Sequence, residues 1–270
     1  MTEDADFPVA PQEPSLTIDR WQDLKGLTAA RIALNRAGSS LPTDEILVFS
    51  LAHARARDAV HTSLHIDALA SRLAKLGLTS IEVCSRATSR AAYLRRPDLG
   101  RLLPDEEREK LQRLATRPSD ICIVVADGLS AAAVQANAPK VLGYLAPALH
   151  KSGWTIGAVV LVSQGRVAIG DQIGAVLKAR VTLMLIGERP GLSSADSLGA
   201  YLTYEPSPDR SDADRNCISN IRPEGLSPEA AASKAHWLIT QMLEKRISGV
   251  ALKDVSEASP AFPAPDGYRA

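Results

Sequence analysis

An excess of charge of one sign is missing from this chain. Its 31 Lys and Arg are matched by 31 Asp and Glu, so no net field draws it to nucleic acid or to an anionic membrane. Long apolar runs are missing as well: nothing approaches the roughly 20 residues of a membrane-spanning helix. Cysteine is scarce. Cys84, Cys122 and Cys217 cannot all pair and form no CxxC, which fits a reducing, cytoplasmic setting rather than a disulfide framework. The start, MTEDADFPVAPQEPS, is acidic and broken by prolines, and does not read as a secretory signal. Catalytic signatures are absent too. There is no GxSxG elbow, P-loop, HExxH or paired-carboxylate pattern, and IGDQIG is not GxGxxG. These absences argue against a self-sufficient hydrolase and against nucleotide-phosphate binding by a glycine loop.

What is present is an alternation of strand and helix patterns. Residues 121–126, 158–162 and 181–186 are short runs rich in Val, Ile and Leu without polar alternation, as in strands covered on both faces. Residues 167–179 carry apolar side chains at helical spacing, and an Ala-rich helix follows Asp127-Gly128-Leu129-Ser130. Ser227-Pro228-Glu229 starts a last helix with a Ser cap and proline in its first turn. Upstream, the pattern is mostly helical: residues 29–37 ending at Gly38, a start at Pro42-Thr43-Asp44-Glu45, a periodic run from Val60 to Leu76 stopped by Gly77, and a start at Pro104 running toward Thr116. A short strand is expected at 79–84. The fold class is α/β: a helical N-terminal region, then a Rossmann-like C-terminal domain with a mainly parallel sheet. The expected divisions are a disordered tail at 1–17, a helical domain at 18–115, an α/β domain at 116–254 and a tail at 255–270.

In an open α/β sheet, ligands bind at the carboxyl ends of the strands. The loops there hold Ser163-Gln164-Gly165-Arg166 and Gly187-Glu188-Arg189-Pro190-Gly191, a polar, glycine-bearing crevice. Glu188 either accepts hydrogen bonds from a ligand or pairs with Arg189. Cys217 sits in a polar segment, read as a loop, either as a small hydrophobe or as a thiol activated by Arg215; no histidine lies nearby to serve as base. His53, Asp58, His61 and His65 cluster, and His61 and His65 read as i,i+4 on one helix. A metal would need a third ligand, so packing is the plainer reading.

The segments QGRVAIGDQIG, LIGERPGLSSADSLGAYLTY and DRNCISNIRPEGLS, with TAARIALNRAGSSLPTDEILVFSLAHARARDAVH, YLRRPDLGRLL and VADGLSA upstream, resemble the small (light) subunit of ethanolamine ammonia-lyase. The resemblance spans residues 21–254. It implies an adenosylcobalamin-dependent lyase that converts ethanolamine to acetaldehyde and ammonia through an adenosyl radical. It also implies a large barrel subunit that binds the substrate, six large plus six small subunits, and the cofactor held at their interface. No catalytic residue is placed on this chain. Matching motif positions imply cofactor contacts at Val167 (packing or backbone), Glu188 (polar, toward the nucleotide side) and Cys217 (a neighbour, not a nucleophile). The chain lacks DxHxxG, so the implied mode is base-on, with the cofactor keeping its dimethylbenzimidazole ligand. Some such enzymes enter bacterial microcompartments through an N-terminal extension of this subunit; the tail here shows no amphipathic helix. Asn35 in ARIALNRAG stands where the family pattern has glycine, and both residues tolerate left-handed backbone. A stand-alone cobalamin-binding or carrier module is the alternative. Three contacts at about 1 kcal/mol each fall short of the roughly 8 kcal/mol of micromolar affinity, so the isolated chain is expected to bind cobalamin weakly.

Overall fold

The computed structural model describes residues 21–256 apart from Ala29 and residues 115–117. The tail expected at 1–17, the part of the second tail beyond 256 and the approach of a helix to Thr116 lie outside the described residues. The chain forms two compact units, residues 1–55 and 56–270.

In the first unit a 3-10 turn, Gln22–Leu27, precedes an extended segment, and helix α1 (Thr43–His61) begins at the expected Pro-Thr-Asp-Glu start. The helix expected at 29–37 is not formed over 30–37. Ala33 and Asn35 have φ of 53° and 47°, and a left-handed residue cannot continue a right-handed hydrogen-bond ladder. Gln22 Nε2 holds this conformation by donating to the Ala33 carbonyl (3.1 Å) and to Asn35 Oδ1. Asn35 therefore does adopt the backbone that a glycine would. Gly38 is left-handed as well, but within a turn closed by Ala37 and Ser40. On α1, Ile46, Leu47, Val48, Phe49 and Leu51 are exposed.

The second unit is built on one six-stranded sheet: β1 (Ser80–Cys84), β2 (Ile121–Ala126), β3 (Val159–Ser163), β4 (Val181–Gly187), β5 (Leu198–Tyr204) and β6 (Arg215–Ile221), in the order β1-β3-β2-β4-β5-β6. The first four are parallel, and β5 and β6 join by antiparallel pairing. Helices α2 (Ile66–Ala74), α5 (Ala131–Lys151) and α7 (Pro228–Lys245) share one apolar core with one face of the sheet, including Ile123, Leu183, Leu202 and Ile218. Helices α4 (Asp105–Leu114) and α6 (Ile169–Val176) share a second core with the other face, around Val124, Val160 and Met184. Full burial of β2 and β4 on both faces explains their unbroken apolar runs. Short helix α3 (Arg90–Arg95) follows β1.

The run from Val60 to Leu76 is two elements. α1 ends at His61 and α2 begins after His65, whose φ and ψ are −84° and 85°. His61 and His65 thus do not share a helix face, and no group of three metal-ligating side chains occurs among the described residues. Ser130 caps α5: its Oγ accepts from the Ala133 N–H (3.2 Å) and donates to the Ala195 carbonyl (2.9 Å). Because Ser130 is fully buried, Ser130→Ala should cost about 1–3 kcal/mol, measured as a lower urea midpoint at an unchanged m value.

Candidate functional site

Part of the expected crevice is already filled by the protein itself. Asp127, just past β2, accepts from the Gln164 and Gly165 N–H groups (3.0 and 3.1 Å) and lies 3.6 Å from the Arg90 guanidinium. Ser85 donates to the Gln164 carbonyl (2.7 Å) and Tyr93 to the Gly165 carbonyl (3.1 Å). Arg90 also donates to the Val60 and Gly128 carbonyls (2.7 and 2.8 Å). Burial pushes the Asp127 carboxyl above the ordinary carboxylate range, and these donors oppose the shift. The loop after β3 is therefore a tightly bonded internal corner, with Gln164 in left-handed backbone.

The open part lies toward β5 and β6. Alternate residues of β5 divide between the faces. Leu198, Ala200, Leu202 and Tyr204 enter the core shared with α5 and α7, while Tyr201 packs against the core on the opposite face. Only Tyr201 of β5 is not fully buried. Its partner in the ladder is Cys217. Cys217 is therefore not in a loop: it lies on the edge strand β6, exposed, directly across the ladder from Tyr201.

Activation by Arg215 does not occur. That guanidinium is held by Asp171 of α6, to which Nε donates at 2.9 Å and Nη2 more closely, and by Asp212 at 2.6 Å. Desolvation raises the Cys217 thiol above its ordinary pKa, as does the nearby Glu188 charge, and the Tyr201 hydroxyl opposes this. The thiol stays protonated near neutrality, which is incompatible with a poised nucleophile. Burial, followed by Cys217 and Glu188, raises the Tyr201 hydroxyl, so it remains a donor.

Glu188 makes neither a salt bridge with Arg189 nor a free loop carboxylate. Its Oε2 accepts from the Ser197 hydroxyl and from the Asn220 N–H (3.2 Å). The Asn220 N–H is available because β6 bulges: Ser219 and Asn220 stand opposite Gly199 alone, between the Leu198–Ile221 and Ala200–Ile218 pairs. Oε1 is on the Gly199 side, where a Cβ would come within 3.1 Å of it and 3.3 Å of the Tyr201 ring. The absence of a side chain at Gly199 thus keeps the space between Glu188 and Tyr201 clear.

Val167 and Tyr201 line one cavity of about 510 Å³, with Arg101, Arg166, Arg210 and Arg215 among its walls. Tyr201 consequently links all three expected contact residues. It borders the cavity with Val167, stands opposite Cys217 in the ladder and lies beside the space onto which Glu188 faces. Sequence reading missed Tyr201, Gly199 and the bulge; period-two alternation in LGAYLTY was the available signal. The wall arginines come from segments distant in sequence and carry no local pattern.

Fold and site together define a mixed α/β protein with a partly open sheet face at the antiparallel edge, bearing a carboxylate, a phenol and a thiol. Residues 18–253 match the family described as ethanolamine ammonia-lyase light chain. The chain is 52% identical over 244 residues to the ethanolamine ammonia-lyase small subunit of Rhodopseudomonas palustris, covering 90% of this chain and 94% of that one. It is 52% identical over 250 residues to the protein of the same name from Bradyrhizobium diazoefficiens (92% and 94% covered), and 50% over 246 residues to that from Azotobacter vinelandii (90% and 91%). This chain belongs to the ethanolamine ammonia-lyase light-chain family.

Proposed function

We propose that this chain is the small subunit of a heteromeric ethanolamine ammonia-lyase, and that Val167, Glu188 and Cys217, joined by Tyr201, form its share of a site for base-on adenosylcobalamin completed by the large subunit. The observation that carries the reading is the convergence of three residues, spread over 50 positions of sequence from Val167 to Cys217, around one phenol on a partly open sheet face. Their chemistry suits such a group. Oε1 of Glu188 has no hydrogen-bond partner among the described residues, because Ser197 and Asn220 both use Oε2. It can accept from an amide or hydroxyl of a ligand. Tyr201 and Val167 offer apolar surface, and Cys217 supplies a small neutral contact. When bound, the cofactor supplies the radical chemistry that turns ethanolamine into acetaldehyde and ammonia. This chain's residues orient it and keep solvent from its edge.

A share of a site is all that these contacts provide, which fits a subunit of a larger assembly, with six large and six small chains as the proposed composition. The apolar side chains exposed along α1 support a protein partner of that kind. Among the described residues no helix is long and apolar enough to cross a membrane.

The test is acetaldehyde release from ethanolamine with adenosylcobalamin, comparing this chain, its large partner and the two co-expressed. Turnover is expected only from the pair. In that complex Glu188→Gln, whose amide oxygen still accepts from Ser197 and Asn220, should raise the cofactor Kd about tenfold. A stable complex without turnover would sink the assignment.

A further inference from the structure

The cavity beside Val167 has a property that the three expected contacts do not explain: its wall is cationic. Four arginines line it, and their compensation is uneven. Arg215 is neutralised by buried Asp171 and by Asp212. Arg210 lies 3.7 Å from Asp214. Arg101 and Arg166 have no carboxylate partner among the described residues. The one acid on the wall, Asp212, has a fully exposed side chain, so water screens its charge.

Arg166 is held by its side chain, and Arg101 by its backbone. Arg166 lies 4.2 Å from the centroid of the Tyr93 ring and donates to the Tyr93 carbonyl (3.3 Å), while its Nε is buried without any partner. Its backbone N–H donates to the Gly100 carbonyl (2.8 Å), tying it to the 3-10 turn Leu99–Arg101. The Arg101 carbonyl accepts from Gln172 Nε2 (3.1 Å), which fixes that turn on α6. A fixed guanidinium at Arg166 with a second one, from Arg101, reaching in from a fixed backbone turn is an arrangement that recognises a tetrahedral oxyanion, because each offers a planar fork of donors.

We propose that Arg101 and Arg166, with Arg210, form a binding site for a phosphate-class oxyanion. In the assembled enzyme its occupant is the phosphodiester of the cofactor's nucleotide loop. That assignment rests on the cofactor reading above, since the cavity shares Val167 and Tyr201 with the face proposed there. The phosphodiester is the anionic group of cobalamin, and free phosphate is the other source of the same chemistry.

Arg101 is the residue to change, because it is exposed and its guanidinium holds no structural ion pair. The complex of this chain with its large subunit is titrated with cyanocobalamin and with dicyanocobinamide, which lacks the phosphodiester and the base. Arg101→Gln should raise the cyanocobalamin Kd about tenfold and leave the cobinamide Kd unchanged. Added salt should weaken cyanocobalamin binding by the native complex more steeply than by the variant. Arg101→Lys should recover part of the affinity. In parallel, phosphorus NMR line broadening of inorganic phosphate is followed with this chain alone and with Arg101→Gln. Phosphate binding that the variant loses, with cyanocobalamin affinity unaffected, would assign the site to free phosphate. Failure of the complex to bind any corrinoid would overturn the cofactor reading while leaving the phosphate titration to decide the pocket. Unchanged cyanocobalamin affinity together with no variant-sensitive phosphate binding would overturn the proposal.

Discussion

Replacing Arg215 by Met should lower the stability of the chain by about 3–5 kcal/mol and make the loss pH-dependent. Arg215 and Asp171 are both buried, with side chains 4% and 3% exposed, and the pair joins α6 to the edge strand β6. Desolvation drives the Asp171 carboxyl above its ordinary pKa, and the Arg215 guanidinium is the main influence pulling it back. Without the guanidinium, the buried carboxylate is left with weaker donors and its pKa is driven further up. Its folded pKa then lies well above the unfolded value, so the native state binds more protons across that interval. By linkage, stability falls as pH rises from the unfolded pKa toward and through the folded one, and is recovered as pH falls. The variant's deficit should accordingly be larger at pH 8 than at pH 5 in urea denaturation. Adding Asp171→Leu should restore most of the stability at pH 8, because breaking a buried pair costs far more than replacing both members with apolar side chains. An Arg215→Met deficit below 1 kcal/mol at pH 8 would mean that the pair contributes little.

The central parallel strands were readable because burial on both faces leaves mostly Val, Ile and Leu at those positions. β2 was expected at 121–126 and is Ile121–Ala126; β3 is shifted by one residue from 158–162 and β4 runs one residue past 186. The antiparallel edge was not readable in the same way. β6 alternates irregularly because Ser219 and Asn220 form its bulge, so RNCISNI looks like a polar loop around a cysteine. The split between α1 and α2 was hidden because Val60 and Leu64 fit one helical period, and only backbone dihedrals separate them. At 30–37, good helix formers yielded to a side-chain tether, the hydrogen bonds of Gln22 to Ala33 and Asn35. For the proposed site, motif resemblance gave three residues, and what brings Cys217 beside Tyr201 is the strand register, a long-range fact. Glu188 illustrates the difference. Its position after a buried strand was legible, whereas its role in fixing the bulge needed the partner strand.

Gly187→Ala should be the most damaging single-methyl change near the site, while Gly170→Ala should be tolerated. Gly187 ends β4 beneath the turn that follows β2. A Cβ there would run into the Ser130 carbonyl oxygen and come within 2.6 Å of the Asp127 carbonyl oxygen. Both obstacles are backbone, in a turn held by the Leu129 N–H to Gly187 carbonyl bond (2.9 Å) and by the Ser130 cap, so neither can rotate aside. Gly128, left-handed at φ +55°, is packed as closely: a Cβ there would run into the Gly187 carbonyl oxygen. Relief requires separating β2 from β4 at the centre of the sheet, and overpacking of that kind costs about 3 kcal/mol or more. In a unit of this size that corresponds to a fall in Tm of roughly 6–12 °C. At Gly170, within α6, the nearest atoms are side-chain atoms of Met184 and Thr182 at 3.4–3.6 Å, ordinary contact distances. Alanine there also favours helix by about 1 kcal/mol. Thermal melts of the two variants should therefore move in opposite directions. Glu188 directly follows Gly187, so on the proposed cofactor reading any Gly187→Ala protein that still folds should also bind adenosylcobalamin less tightly in the complex. Equal melting temperatures for Gly187→Ala and the native chain would show that the β2 and β4 ends are not locked together as described.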